Sequence, residues 1–351
     1  NVVDLCPVGA LTSKPYAFIA RPWELKKTAA IDVMDAVGTN IRLDSRGRQV
    51  LRALPRINED VNEEWASDKT RHAVDGLTQR RLDRPYVRKN GKLVAVDWAD
   101  ALKAVADAAA KAGKSVAAIA GDQVDCETLF AARQLVKSLG GSMLEGRQTG
   151  LAYDTSSLAA VNFNTGIANV ENADVILLVG SDTRREAPLV NTRIQKAVRK
   201  KGAKVFAIGP ETDLTYKAEF LGANLGLLGK LPKHVSDAFK AAQRPVILVG
   251  GGALRYEGAH GAALAFAKKH KLVRDGWNGF NVLHFAAARM GGLMLGYAYD
   301  GGIKALAAKK PKLAFFLGAD EVDYSIFADT FKVYVGHHGD AGAHAADVIL
   351  P

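Results

Sequence analysis

One thiol near the front of the chain lies in a string suited to metal chemistry, Leu5-Cys6-Pro7-Val8-Gly9-Ala10-Leu11. A Cys followed at once by Pro, then by small and apolar residues, is the pattern of the last ligand of a 4Fe–4S site. Proline fixes φ and has no N–H to donate, so the chain turns away after the thiolate. Gly9 and Ala10 let the backbone pass close to a bulky inorganic cluster. One thiolate cannot hold four irons, and the chain opens on Asn1 rather than Met. The expectation is a fragment, or half of a split protein, whose other cluster ligands lie upstream.

Other candidates are weaker. His337, His338, Asp340 and His344 could be a metal cluster. Adjacent side chains diverge on extended backbone, however, so a hydrogen-bonded loop is expected. Cys126 near a helix start could be a reactive thiol; a small buried residue is expected instead. Several apolar runs end in polar, Gly-containing turns: Gly180-Ser-Asp182, Gly209-Pro-Glu211, Gly250-Gly-Gly252 and Gly318-Ala-Asp320. Ligands of open α/β sheets bind at such strand ends, but Gly after a strand is also the ordinary turn into a helix. Neither G-x-G-x-x-G nor a Walker A string is present. No Ser/His/Asp or Cys/His set stands out, so no catalytic residue is named.

Composition bounds the answer. The chain has 351 residues, 48% of them hydrophobic, enough for two or three folded units. Two cysteines, Cys6 and Cys126, exclude a disulfide framework. No apolar run is long enough for a membrane span. The net charge of +10 is spread along the chain beside acids. A nucleic-acid partner is therefore not expected, and docking on acidic partner subunits or anionic lipid suits the charge as well.

These candidates need elements to hold them. Residues 1 to about 30 form a cluster-unit tail and connector. Residues 31–85 suggest small antiparallel β structure, with strands around Ile41–Leu43 and Val50–Pro55 and a turn at Asp44–Gly47. From Asp97 the pattern becomes strand–helix alternation. Val116–Ala120, Val175–Val179, Lys204–Ile208, Pro245–Val249, Leu313–Leu317, Lys332–Val335 and Val348–Leu350 are continuous apolar runs, as parallel strands covered on both faces require. Asp97 and Asp125 are placed to cap helices carrying Ala101, Leu102, Val105 and Ala109, and Leu129, Leu135, Val136 and Leu139. Pro188 suits a first helical turn and Arg199-Lys200-Lys201 a last one. The gap between the strands near 204 and 245 suggests a first lobe over 86–240 and a second, truncated one over 241–351.

Longer strings resemble a known family. Asp4–Phe18, Ala20–Glu24, Ile31–Gly38, Leu54–Asp60, Asn62–Trp65, Ser67–Arg71, Arg184–Leu189 and Tyr334–Asp340 are similar to the large iron–sulfur (75-kDa-type) subunit of respiratory complex I, the proton-pumping NADH:ubiquinone oxidoreductase. The resemblance runs essentially end to end. It implies an α/β fold: a small antiparallel β unit followed by two parallel-sheet lobes, similar to molybdopterin oxidoreductases such as formate dehydrogenase. It also implies that Cys6 is the fourth ligand of one 4Fe–4S cluster on the electron path from NADH to ubiquinone, with Val8, Ala10 and Leu11 helping to shield that cluster.

In many molybdopterin relatives the β unit carries a cluster of its own, and the matching positions here are Asp32, Asp35, Thr39 and Ser67. None has sulfur, so that cluster is not expected, and neither is molybdopterin. The resemblance implies other peripheral-arm subunits as partners, with NADH and ubiquinone reached only through the complex. It implies the matrix side of the mitochondrial inner membrane, or the cytoplasmic face of a bacterial one. The alternatives are an active molybdopterin-dependent oxidoreductase and a nucleotide or thiamine-diphosphate module, the latter prompted by Arg244–Gly252.

Overall fold

The structure, a computed structural model, describes residues 2–351. Contacts divide the chain into two compact units. One holds residues 1–79, 163–250 and 265–283; the other holds 80–162, 251–264 and 284–351.

The first unit begins with the small β sheet. Strands Lys26–Ile31, Asn40–Arg46 and Gln49–Pro55 run antiparallel, with Asn40–Arg46 central. Ile41, Leu51 and Ala53 face inward. The expected turn at Asp44–Gly47 tightens to Gly47-Arg48, because Asp44 is a fully buried strand residue. Arg42, two positions earlier on the same face, and Arg52, opposite Asp44 in register, place guanidinium groups 2.7 and 2.8 Å from its carboxylate. Their hydrogen bonds and charges outweigh burial and hold that carboxyl below the usual range.

The N-terminal segment is pinned to this sheet. The Arg52 guanidinium lies 4.2 Å over the Tyr16 ring, Arg46 donates to the Ile19 carbonyl at 2.9 Å, and Arg71 pairs with Asp4.

The same unit holds a parallel sheet. Across it run Glu219–Gly222, Lys204–Ile208, Val175–Val179, Pro245–Gly250 and Phe280–Leu283. Every residue of Val175–Val179 is buried, as expected for a strand with helices on both faces. Helix Pro188–Lys201 lays Leu189, Val190, Ile194 and Ala197 against it, begins with Pro188 and ends on Arg199, Lys200 and Lys201. Each fully buried Leu, Ile or Val contributes roughly 1.5–3 kcal/mol.

The second unit holds a larger sheet. Its order is Lys92–Ala95, Tyr86–Lys89, Val348–Leu350, Phe331–Val335, Leu313–Leu317, Val116–Ala120 and Met143–Glu145. The last five are parallel, and the Tyr86–Ala95 hairpin adds an antiparallel edge. Alternate residues build two cores. Val116, Ala118, Phe315 and Val333 serve one, and Ala117, Ile119, Phe316 and Tyr334 the other.

The strands near 204 and 245 do not belong to separate sheets: both flank Val175–Val179. Val116–Ala120 instead pairs with Leu313–Leu317. A cut at residue 240 therefore runs through both parallel sheets, whereas one at residue 85 leaves the small β sheet apart from them. Two helix faces also differ from expectation. Leu102 and Leu135 are 51% and 43% exposed, while Ala101, Leu129 and Val136 are buried.

Candidate functional site

Cys6 follows the short helix Val2–Leu5 and is half-buried. Backbone N–H groups of Leu11 and Val8, with smaller contributions from Ala10 and Gly9, approach its sulfur and hold the thiol below its ordinary pKa. Gly9, within this turn, takes φ +66°, which a side chain disfavours. The site thus stabilises a thiolate, the form that ligates iron. Val8 and Leu11 are 79% and 48% exposed. The chain supplies one thiolate here and no second cysteine near it in sequence.

The second constellation lies in the small β unit. Asp32, Asp35, Thr39 and Ser67 are all buried, at 4%, 3%, 1% and 8% exposure. The Asp32 N–H donates to the Thr39 carbonyl at 2.9 Å. Asp35 accepts from the Val37 N–H at 3.1 Å and pairs with the Lys69 ammonium, also at 3.1 Å. Ser67 caps helix Asp68–Arg71, and its hydroxyl lies 3.0 Å from that of Thr70. Burial, followed by smaller opposing and reinforcing contributions, pushes the Asp32 carboxyl upward. The donors are two carboxylates and hydroxyls. They do not fit a 4Fe–4S cluster, which is held by thiolates.

The third lies in the second unit, where Val116–Ala120, Leu313–Leu317 and Phe331–Val335 end. A cavity of about 480 Å³ opens there, lined by Asp122, Asp125, Asp320, Glu321, Asp340 and His337 among others. The crossing is tight: a Cβ on Gly121 would stand 1.9 Å from the Gly318 carbonyl oxygen. Tyr334 donates to Asp320 at 2.9 Å, and Asp320 accepts the Gly342 N–H. Burial and the neighbouring Asp122 and Asp320 raise the Glu321 carboxyl. A phosphate-bearing cofactor at this place would meet like charge.

Buried polar groups of the same unit carried no motif. Arg147 forks onto Glu145. His284 Nε2 donates to the Val161 carbonyl at 2.7 Å, and burial drives this imidazole down to about 4. Tyr153, edge-on to His260 and His284, is pushed by burial up to about 12. Of these, only His284 stands directly after a strand, Phe280–Leu283.

Other expectations resolve simply. Cys126 is the first residue of helix Cys126–Ser138, capped by Asp125, and it is exposed rather than buried. Asp97 stands at its N-cap without a side-chain hydrogen bond. His337 and His338 meet ring to ring, Nδ1 to Nδ1. Among the described residues, no three His, Cys, Asp or Glu side chains are grouped to hold a metal. No helix among them is long and apolar enough to cross a membrane.

The chain matches the model "Molybdopterin oxidoreductase" over residues 81–351 and "NADH-ubiquinone oxidoreductase NDSU1/NuoG-like, 4Fe-4S domain" over 25–75. The latter stretch contains no cysteine. Among curated relatives, the chain is 44% identical to an NADH-quinone oxidoreductase subunit of Rickettsia conorii, all of this chain covering 53% of that one. It is 43% identical to the mitochondrial 78 kDa subunit of NADH-ubiquinone oxidoreductase of Neurospora crassa, covering 49%. The potato (Solanum tuberosum) mitochondrial NADH dehydrogenase [ubiquinone] iron-sulfur protein 1 is 42% identical, with 48% covered. The chain thus spans about half the length of the curated relatives it matches.

Among solved structures, acetylene hydratase from Pelobacter acetylenicus shares the fold, with a TM-score of 0.61 at 11% identity over 93% of this chain and 63% of that one. The parallel sheets, the small β unit and the match over most of its length place this chain in the molybdopterin oxidoreductase family, in a branch similar throughout to NuoG-like subunits of NADH-quinone oxidoreductase.

Proposed function

We propose that this chain is a scaffold segment of the large iron–sulfur subunit of respiratory complex I and contributes Cys6 as one ligand of a 4Fe–4S cluster. The observation that carries the reading is the Cys6-Pro7 thiol, which neighbouring backbone N–H groups favour as thiolate, in a chain 42–44% identical over its whole length to complex I relatives. When bound, the cluster supplies a one-electron carrier. Pro7 turns the chain off the thiolate, and the N–H groups of residues 8–11 stabilise its negative charge. Val8 and Leu11, exposed here, are apolar surface against which the cluster would seat.

The remaining ligands come from outside this segment. NADH and ubiquinone act only through the assembly, whose peripheral-arm subunits are the partners. The place of action is the matrix side of the mitochondrial inner membrane or the cytoplasmic face of a bacterial one. The small β unit carries no cluster, because oxygen donors replace all four thiolates. Molybdopterin is absent, a reading supported by the carboxylate-lined strand ends of the second unit. The competing reading, an active molybdopterin enzyme, is favoured by the family match alone. Metal analysis of the protein purified in its native assembly separates the two. Iron without molybdenum or tungsten is expected; stoichiometric molybdenum or tungsten overturns the proposal.

A further inference from the structure

The oxygen-lined site of the small β unit poses an unsettled charge. Asp32 and Asp35 bring two negative charges into a place where both side chains are more than nine-tenths buried. Lys69 neutralises one of them. Its ammonium is committed to Asp35 Oδ2 at 3.1 Å and to the Glu186 carbonyl at 3.0 Å. Asp32 Oδ2 is left buried without a hydrogen-bond partner. An orphaned carboxylate oxygen is costly, and a native protein meets that cost with a proton, a water or an ion.

Burial favours a proton on this carboxyl, but on Oδ2 that proton would be a donor without a hydrogen-bond partner. The Thr70 hydroxyl and the Met34 N–H both favour the charged form of the carboxyl. Neutral oxygens are near: the Thr70 hydroxyl beside the carboxylate, itself 3.0 Å from that of Ser67, and the Thr39 carbonyl, which accepts the Asp32 N–H at 2.9 Å. Carboxylate plus hydroxyl and carbonyl oxygen is the donor set of hard cations. It repels the softer metals that seek sulfur or imidazole.

We propose that the Asp32–Asp35–Thr39–Ser67 constellation, matched to a cluster site in relatives, binds one hard, oxygen-liganded cation, with Asp32 as its charged ligand. One uncompensated charge makes a monovalent alkali ion the best match. Mg²⁺ or Ca²⁺ is the other source of the same chemistry. This inference is independent of the role given to Cys6.

The test uses the full chain, stripped with chelator and exchanged into tetramethylammonium chloride. It is then titrated with KCl, NaCl, MgCl₂ or CaCl₂ at matched ionic strength. At saturation, one of these salts raises the melting midpoint by about 3–5 °C over the matched control, and elemental analysis gives one such ion per chain. Asp32→Asn, which keeps the shape and removes the charge, abolishes the increment without falling below stripped wild type. Thr70→Val raises the half-saturating concentration about tenfold and carries the test if Asp32→Asn does not fold. No salt-specific rise overturns the proposal, as does a variant that responds like wild type.

Discussion

The Cys6 loop and the Asp32–Ser67 site differ in what they offer a ligand: a half-buried thiol in one, buried carboxylates and hydroxyls in the other. The loop keeps its sulfur and surrounds it with N–H donors from residues 8–11. The site beside the small β sheet offers only carboxylate and hydroxyl side chains, all of them buried. On the reading proposed above, the loop ligates iron together with residues outside this segment, and the oxygen-lined site does not. The difference separates fold from cofactor. Within the small sheet the buried Asp44 carboxylate bridges Arg42 and Arg52.

The largest effect should come from reversing the replacement. The combined variant Asp32→Cys, Asp35→Cys, Thr39→Cys and Ser67→Cys, reconstituted anaerobically with iron and sulfide, should gain about four irons at this site and the broad visible absorption of a cluster. Failure to gain iron in a folded variant would mean the frame itself has drifted, and the comparison would break. Next, Asp44→Ala should cost about 3 kcal/mol in urea unfolding, because it leaves two arginines without their carboxylate. A loss below about 1 kcal/mol would show that the sheet is held by something else.

Acid provides a third test, in the second unit. His284 is depressed from an ordinary value of 6.5 to about 4 by burial. The unfolded chain therefore takes up a proton that the folded one refuses. Stability from this group is complete above pH 6.5 and falls as pH drops toward 4, by about 2 kcal/mol at pH 5. His284→Gln should flatten that limb of the pH–stability curve; an unchanged slope removes His284 as the cause. The smallest effect is expected at Gly9. Gly9→Ala has free space for its Cβ, so the cost is backbone alone, about 1 kcal/mol at φ +66°. Iodoacetamide reactivity across pH should then report a raised thiol pKa; an unshifted profile would place the stabilisation outside this turn.

Much of this is legible in the order of residues alone. Five-residue apolar runs such as Val175–Val179 announce buried parallel strands, since no half-exposed strand tolerates them. Cys6-Pro7 announces its own turn, and Pro188 its helix. Sheet membership is not legible. Val116–Ala120 and Leu313–Leu317 lie far apart in sequence yet pair in register, and periodicity carries no information about which strand neighbours which. The Asp44 bridge is hidden because an acid beside Ser and Gly has turn composition; only its cross-strand partner Arg52 makes it a core residue. Leu102 and Leu135 match a helical stripe but sit at its edge, exposed. The oxygen replacement at Asp32 is visible only through family resemblance, while the unpartnered Oδ2 emerges only once the chain is folded.

Electron paramagnetic resonance of the reduced native assembly, comparing wild type with Cys6→Ser and with Asp32→Asn, separates the two regions. Cys6→Ser should remove or distort one 4Fe–4S signal and slow electron flow to quinone, while Asp32→Asn leaves every cluster signal in place. An unchanged spectrum in Cys6→Ser, or a cluster signal lost in Asp32→Asn, would overturn the assignment of iron to Cys6.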